Sequence, residues 1–139
     1  ALRATVPQYL PGRKKWKLTS SHNADKVSSA VDGNLGTRFD TGTAMVPGMW
    51  FQIELPETME VSGLRLDSAG SALDYPSGYE VAVSVDGKSW SSPLVKGQGT
   101  QPLTEIYFSG VKAKLIKIVQ TGRRPGKYWS IHDLQIYGK

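Results

Sequence analysis

The stretch AVDGNLGTRFDTG, residues 30–42, holds two acids, one amide, two threonines and three glycines. These are the residue types that surround a hard cation. Calcium takes about six to eight oxygens at roughly 2.4 Å, from carboxylates, hydroxyls and carbonyls. Asp32 offers a carboxylate, Asn34 a side-chain or backbone oxygen, and Thr37 a hydroxyl and a carbonyl. Gly33 and Gly36 let the backbone fold tightly enough to turn several carbonyls inward. The loop is not an EF-hand. Counted from Asp32, Thr37 stands where that loop needs glycine, and Thr43 where it needs the closing glutamate. The same residues also make an ordinary Asp-Gly turn in which local amides satisfy Asp32. On residue types alone, turn and metal loop are evenly matched.

Catalytic chemistry finds less support. The histidines are His22 and His132, far apart in the chain, and there is no H-E-x-x-H, no G-x-S-x-G and no glycine-rich phosphate loop. The absence of cysteine excludes a thiolate nucleophile, a thiolate zinc site and disulfides. Asp40, Asp67, Asp74 and Asp133 fall in expected loops, but nothing in their order sets the fixed spacing that a glycosidase pair requires. A binding module is therefore expected rather than an enzyme.

The elements that must position these residues follow a period of two. In WFQIEL (50–55), Phe51, Ile53 and Leu55 share one face; in YEVAVSV (79–85), Tyr79, Val81, Val83 and Val85 do the same. Asp86-Gly87 then signals a tight turn. LIKIV (115–119) is apolar on both faces apart from Lys117 and reads as a deep strand. Further strands fit 16–20, 61–67, 104–108 and 134–137. Only residues 23–30 fit a helix, through Ala24, Val27 and Ala30, with Asn23 or Ser21 as cap. Many short strands between Gly, Pro, Asp and Ser turns imply an antiparallel sandwich or jelly roll. Residues 1–15 read as a linker or N-terminal arm, and 16–139 as one domain of ordinary size. The net charge of +5 is modest, and no apolar run reaches the length of a membrane span.

Seven pieces stand in order along the chain: WKLTSSHN (16–23), AVDGNLGTRFDTG (30–42), PGMWFQIELP (47–56), SGLRLDS (62–68), DYPSGYEVAVSVDGKSW (74–90), IYFSGVKAKLIKIVQTG (106–122) and YWSIHDLQIYG (128–138). Together they resemble the discoidin or coagulation factor 5/8 type C domains, a family overlapping the family 32 carbohydrate-binding modules. The resemblance implies an all-β fold, an antiparallel eight-stranded jelly-roll sandwich with short loops and at most one short helix. It also implies one structural calcium between the loop 30–37 and the acid before the last strand. Asp32 would bind by its carboxylate and Thr37 by hydroxyl or carbonyl. Ala30, Asn34 and His132 would give backbone oxygens, and Asp133 would close the site. Many relatives carry glutamate at the place of Asp133, which is one methylene shorter.

In similar domains the ligand site lies on loops at one end of the sandwich, here 20–23, 40–49, 68–77 and 122–129. The expected ligand-binding residues are His22, Asp40, Asp74, Tyr75, Arg123, Tyr128 and Trp129, with Met45 and Arg124 in the same loops. Aromatic faces stack under a sugar ring, and Arg and Asp bind adjacent hydroxyls. Tyr128 leads as the stacking residue. Trp129 suits core and platform equally, Trp50 and Trp90 suit the core, and Arg38 suits an ion pair with a nearby carboxylate. The expected function is a non-catalytic carbohydrate-binding module that tethers a larger exported or surface protein to a glycan or polysaccharide. Such a protein would be secreted, periplasmic or at the cell surface, with the module itself monomeric. The alternatives are a protein adhesion module or an anionic membrane surface. In the membrane reading Met45, Val46 and Met49 form an exposed tip, and Arg13, Lys14, Arg123 and Arg124 meet phosphates. Sugar is preferred because that tip is short and flanked by polar Thr and Gly. No nucleic acid is expected, because the bases are scattered.

Overall fold

The computed structural model describes residues 8–139. Eight strands are found among them: β1 (Lys17–Ser20), β2 (Phe39–Met45), β3 (Met49–Asp67), β4 (Tyr79–Ser84), β5 (Val95–Gly97), β6 (Leu103–Gln120), β7 (Arg124–Ile131) and β8 (Asp133–Gly138). All pairings are antiparallel, as expected of many short strands separated by turns. The fold is the expected all-β sandwich.

Two long strands carry it. β3 and β6 pair from Met49↔Gln120 to Asp67↔Leu103, with irregularities between Glu54 and Met59 and between Val61 and Gly63. The strands expected at 50–55 and 61–67 are thus two halves of β3, and those expected at 104–108 and 115–119 are two halves of β6. Residues 49–55 alternate buried and half-buried, whereas Pro56, Glu57 and Thr58 are exposed. The polar run PETME forms the corner over which β3 bends. Its first half pairs with β1 and its second half with β8. Beyond β6 lie β4 and then β5. β2 and β7 form a separate two-stranded sheet. The Phe39 ring meets the Phe51 ring edge-on, centroids 5.0 Å apart, and links the two sheets. Around them Ile53, Leu64, Ile106, Ile116, Ile118, Trp129 and Ile131 are fully buried.

The predicted helix appears as a short 3-10 helix, Ala24–Ala30, with Ala30 buried. Asn23 does not cap it through its side chain: it adopts a left-handed conformation, φ 53°, and its amide donates instead to the Asp40 carbonyl at 2.8 Å. The turn after β4 forms as expected, with Asp86 Oδ1 accepting the amides of Lys88 and Ser89 at 2.8 and 2.9 Å.

Two expectations need correction. The loops 40–49 and 122–129 are largely strand, because β2 and β7 pair there. Their alternation is hidden in the sequence, since the buried residue at Thr41 is polar and register shifts interrupt the pairing after Asp40. Within the expected arm, residues 1–7 lie outside the described residues, and residues 8–15 pack onto β8. Leu10 is buried, the Leu10 amide bonds the Ile136 carbonyl at 2.8 Å, and the Gly138 amide bonds the Gln8 carbonyl at 2.9 Å. Tyr9 lies against Tyr137, ring centroids 5.3 Å apart.

Gly63 sits where β3 changes register against both β6 and β8. A Cβ placed there would come 2.3 Å from the Ile106 carbonyl oxygen, a backbone atom that cannot swing aside. Gly63→Ala should therefore destabilise the fold by about 2–4 kcal/mol in a denaturant titration, although alanine favours folding at an unconstrained site. An unchanged midpoint would show that the strand corner accommodates a side chain.

Candidate functional site

The short connections of the sandwich gather at the pole where β3 both begins and ends. There the loop 68–78 runs beside β7. Asp74 is buried, and its carboxylate accepts from the Ser130 hydroxyl at 2.7 Å and from Arg38 at 3.2 Å. The Ser130 amide bonds the Asp74 carbonyl at 2.9 Å. Arg38 also pairs with Asp40 at 3.1 Å. One guanidinium thus bridges the two acids, as the ion-pair reading of Arg38 anticipated. Asp40 Oδ1 accepts the Gly42 amide at 2.9 Å, which fixes the turn where Gly42 takes φ 67°. Both acids are committed to Arg38 and to local donors.

Beside this bridge, the Arg124 guanidinium lies over the Tyr75 ring, 4.4 Å from its centroid. It also donates to the carbonyls of Leu73 and Tyr75. Arg124 stands opposite Met45 and Tyr128 opposite Ala44 in the β2–β7 register. Tyr128 is 40% exposed, more than any other aromatic residue at this pole. His22 is half-buried, with Nδ1 2.8 Å from the Ser21 hydroxyl, and its neighbour Asn23 reaches Asp40. Arg123 is exposed. The structure therefore brings together Asp40, Asp74, Tyr75 and, through Asn23, His22. Tyr128 lies on the adjoining strand.

Three expectations change here. Trp129 is fully buried and belongs to the core, because alternation along β7 turns it inward from exposed Tyr128. Met45 and Met49 are buried and Val46 packs against the core, so the expected apolar tip does not exist. Trp50 and Trp90 are half-buried rather than core; they flank Lys117, whose ammonium lies 5.3 and 4.5 Å from their ring centroids. The structure adds Arg124 to the site, along with Ser71 and Ser130. Arg124 was visible as a base in the right loop, but no signal in the sequence marks the two serines.

The loop 30–37 is closed on itself. Asp32 accepts the Asn34 amide at 2.9 Å through one oxygen and the Thr37 hydroxyl through the other. The Asn34 carbonyl accepts the Thr37 amide at 3.1 Å. His132 ties this loop to the last strand. Its Nδ1 lies 2.6 Å from the Leu35 carbonyl and its Nε2 2.8 Å from the Ser71 hydroxyl. A carbonyl only accepts, so Nδ1 donates to Leu35, and Nε2 pairs with the Ser71 hydroxyl.

Sequence comparison matches residues 15–134 to the F5/8 type C domain. The chain belongs to the F5/8 type C domain family. It is 26% identical over 149 aligned positions to galactose oxidase of Gibberella zeae, covering 99% of this chain and 22% of that protein. The chain spans about a fifth of the length of the curated relatives it matches. Its structure is similar to the family 32 carbohydrate-binding module of Clostridium perfringens NanJ in complex with galactose. The TM-score there is 0.76 at 20% identity, over 89% of this chain and 94% of that one. It is also similar to chitosan-binding module 2, in complex with chitotriose, of a chitosanase/glucanase from Paenibacillus sp. IK-5. That TM-score is 0.70 at 24% identity, over 88% of this chain and 95% of that one. These likenesses show the fold.

As an F5/8 type C domain the chain is expected to hold calcium between the loop 30–37 and Asp133. The donors as arranged do not fit the ion. Both Asp32 oxygens are engaged inside the loop. Asp133 Oδ1 is bound at 2.6 Å by Arg13, a base where the family's ion would need a free carboxylate. Ala30 and His132 retain backbone oxygens, but each of the two carboxylates already serves another donor.

The Thr37 hydroxyl, and after it the Asn34 amide, holds the Asp32 carboxyl below the usual carboxylate range. A lowered folded pKa contributes stability above the unfolded value, lost as pH falls through the folded value. Asp32 is exposed, so solvent screening keeps that contribution small. In Thr37→Val the Asp32 carboxyl should titrate at higher pH by carboxyl-detected NMR, and the acid limb of the stability curve should flatten. An Asp32 titration unchanged by the substitution would refute the assignment.

Proposed function

We propose that this chain is a non-catalytic carbohydrate-binding module whose site is the pole formed by Tyr75, Arg124, Tyr128 and the Arg38-bridged pair Asp40 and Asp74. The observation that carries the reading is the Arg124–Tyr75 stack at 4.4 Å beside exposed Tyr128. A pyranose ring presents an apolar face rimmed by hydroxyls. An exposed tyrosine accepts the face, while a guanidinium binds adjacent hydroxyls and the Arg38-bridged acids brace the loops behind it. Arg124 is held flat by Tyr75 and by two carbonyls, so little side-chain entropy is lost when a sugar binds it. The solved relatives described with galactose and chitotriose support a sugar ligand, without selecting one.

Similarity to segments of much larger proteins supports a module within a longer chain, holding its partner domains near a glycan by raising local concentration. A glycan target supports a secreted, periplasmic or surface setting. The commitment of Asp40 and Asp74 to one guanidinium supports binding over acid–base catalysis. The burial of Met45 and Met49 removes the apolar tip on which membrane insertion depended.

On affinity gels carrying neutral and acidic polysaccharides, at least one should retard the parent chain. Tyr128→Ala and Arg124→Ala should each weaken that retention by about tenfold or more, with melting temperatures close to the parent's. Arg123→Ala should have a smaller effect, because Arg123 has no partner that orients it among the described contacts. Full retention in both Tyr128→Ala and Arg124→Ala would move the site elsewhere.

A further inference from the structure

The clasp between the loop 30–37 and the last strand already contains a cation. Arg13 stands in a 3-10 turn, Arg13–Lys15, ahead of β1. Its guanidinium donates to Asp133 Oδ1 at 2.6 Å and to the Leu134 carbonyl at 3.2 Å. The two side chains are 21% and 17% exposed, so the pair is largely withdrawn from water. Arg13 also shares the wall of an open cleft with Val31 and Asp32.

We propose that the Arg13 guanidinium is the resident cation of this clasp, in the position that calcium takes in the wider family, and that the domain is stable without calcium. Four observations converge on this. The matched family region begins at residue 15, so Arg13 enters from sequence that precedes the family's own pattern. Asp133 is one methylene shorter than the glutamate the resemblance leads one to expect, and the long arginine side chain spans the missing reach. Asp32 already accepts from Asn34 and Thr37 within its own loop. The tie between loop and strand that an ion would supply is made by His132 to the Leu35 carbonyl. Calcium could take this place only after displacing a guanidinium hydrogen-bonded to both a carboxylate and a carbonyl. With Arg13 in position, a dication is repelled by the fixed charge.

The test is thermal melting of the 139-residue chain in chelator and in millimolar calcium, together with calorimetric titration with calcium chloride. The parent should melt at the same temperature in both media and give no saturable calcium isotherm. Arg13→Gln should melt roughly 3–8 °C lower in chelator and recover most of that loss in calcium, because the vacated clasp then accepts the ion. Arg13→Lys keeps the charge and should remain insensitive to calcium. A parent that melts lower in chelator, or that binds calcium at one site, would overturn the proposal. So would an Arg13→Gln that melts with the parent, or one that calcium does not restore. If Arg13→Gln fails to fold in either medium, the parent's titration decides the matter alone.

Discussion

The pairing of β3 with β6 is the constraint on which the rest of the molecule depends. The two strands run side by side through the middle of the six-stranded sheet, so a single ladder fixes its register. Phe51 faces Ile118 and Ile53 faces Ile116 along one half; Leu64 faces Ile106 along the other. All six are fully or almost fully buried. A slip of one residue would turn every one of them to solvent. The corner at PETME returns β3 toward its starting pole, and Gly63 lets three strands meet where the register changes. The loop after Asp67 thereby arrives beside β7, where Asp74 finds Ser130 and Arg38.

That pole is held by polar contacts rather than by apolar packing. A continuous path runs from Asp40 through Arg38 to Ser71, then through His132 to Leu35. It joins the pole of Asp40 and Asp74 to the loop 30–37. The apolar core positions strands to within one register, while these bonds set the direction in which Arg124 and the acids point. Buried polar groups specify geometry only when each has its partner. Among the described residues, the indole Nε1 of Trp129 is the one buried side-chain donor without a partner, and it lies in the core.

The sandwich was legible in the sequence because its strands bury one face and wet the other. YEVAVS and WFQIEL show the period directly. β2 and β7 escaped because their pattern is broken by glycine, by proline and by a buried threonine that binds the Trp129 amide at 3.2 Å. The pairing of Arg38 with acids was legible from charge and proximity. The pairing of Arg13 with Asp133 was not, because the two lie at opposite ends of the chain and a basic run before the first strand reads as a loose arm. The same limit applied to Trp129: residue type favours both core and platform, and only the strand's direction decides. Seven short motifs in order identified the family, yet the one residue that changes the clasp lies just before them.

Gln8 and Gly138 are hydrogen-bonded neighbours at the pole opposite Tyr75 and Tyr128. This has a mechanical meaning for a domain held between flanking segments. Tension applied through those two residues would pull apart adjacent rows rather than slide long strands past each other. The bonds to Gln8 and Leu10 would yield first, and β8 would then peel from β3 one pair at a time, beginning at Val61↔Gly138. The β3–β6 ladder would remain intact while slack was released. A domain of this geometry takes up load at one pole and leaves the opposite pole undisturbed.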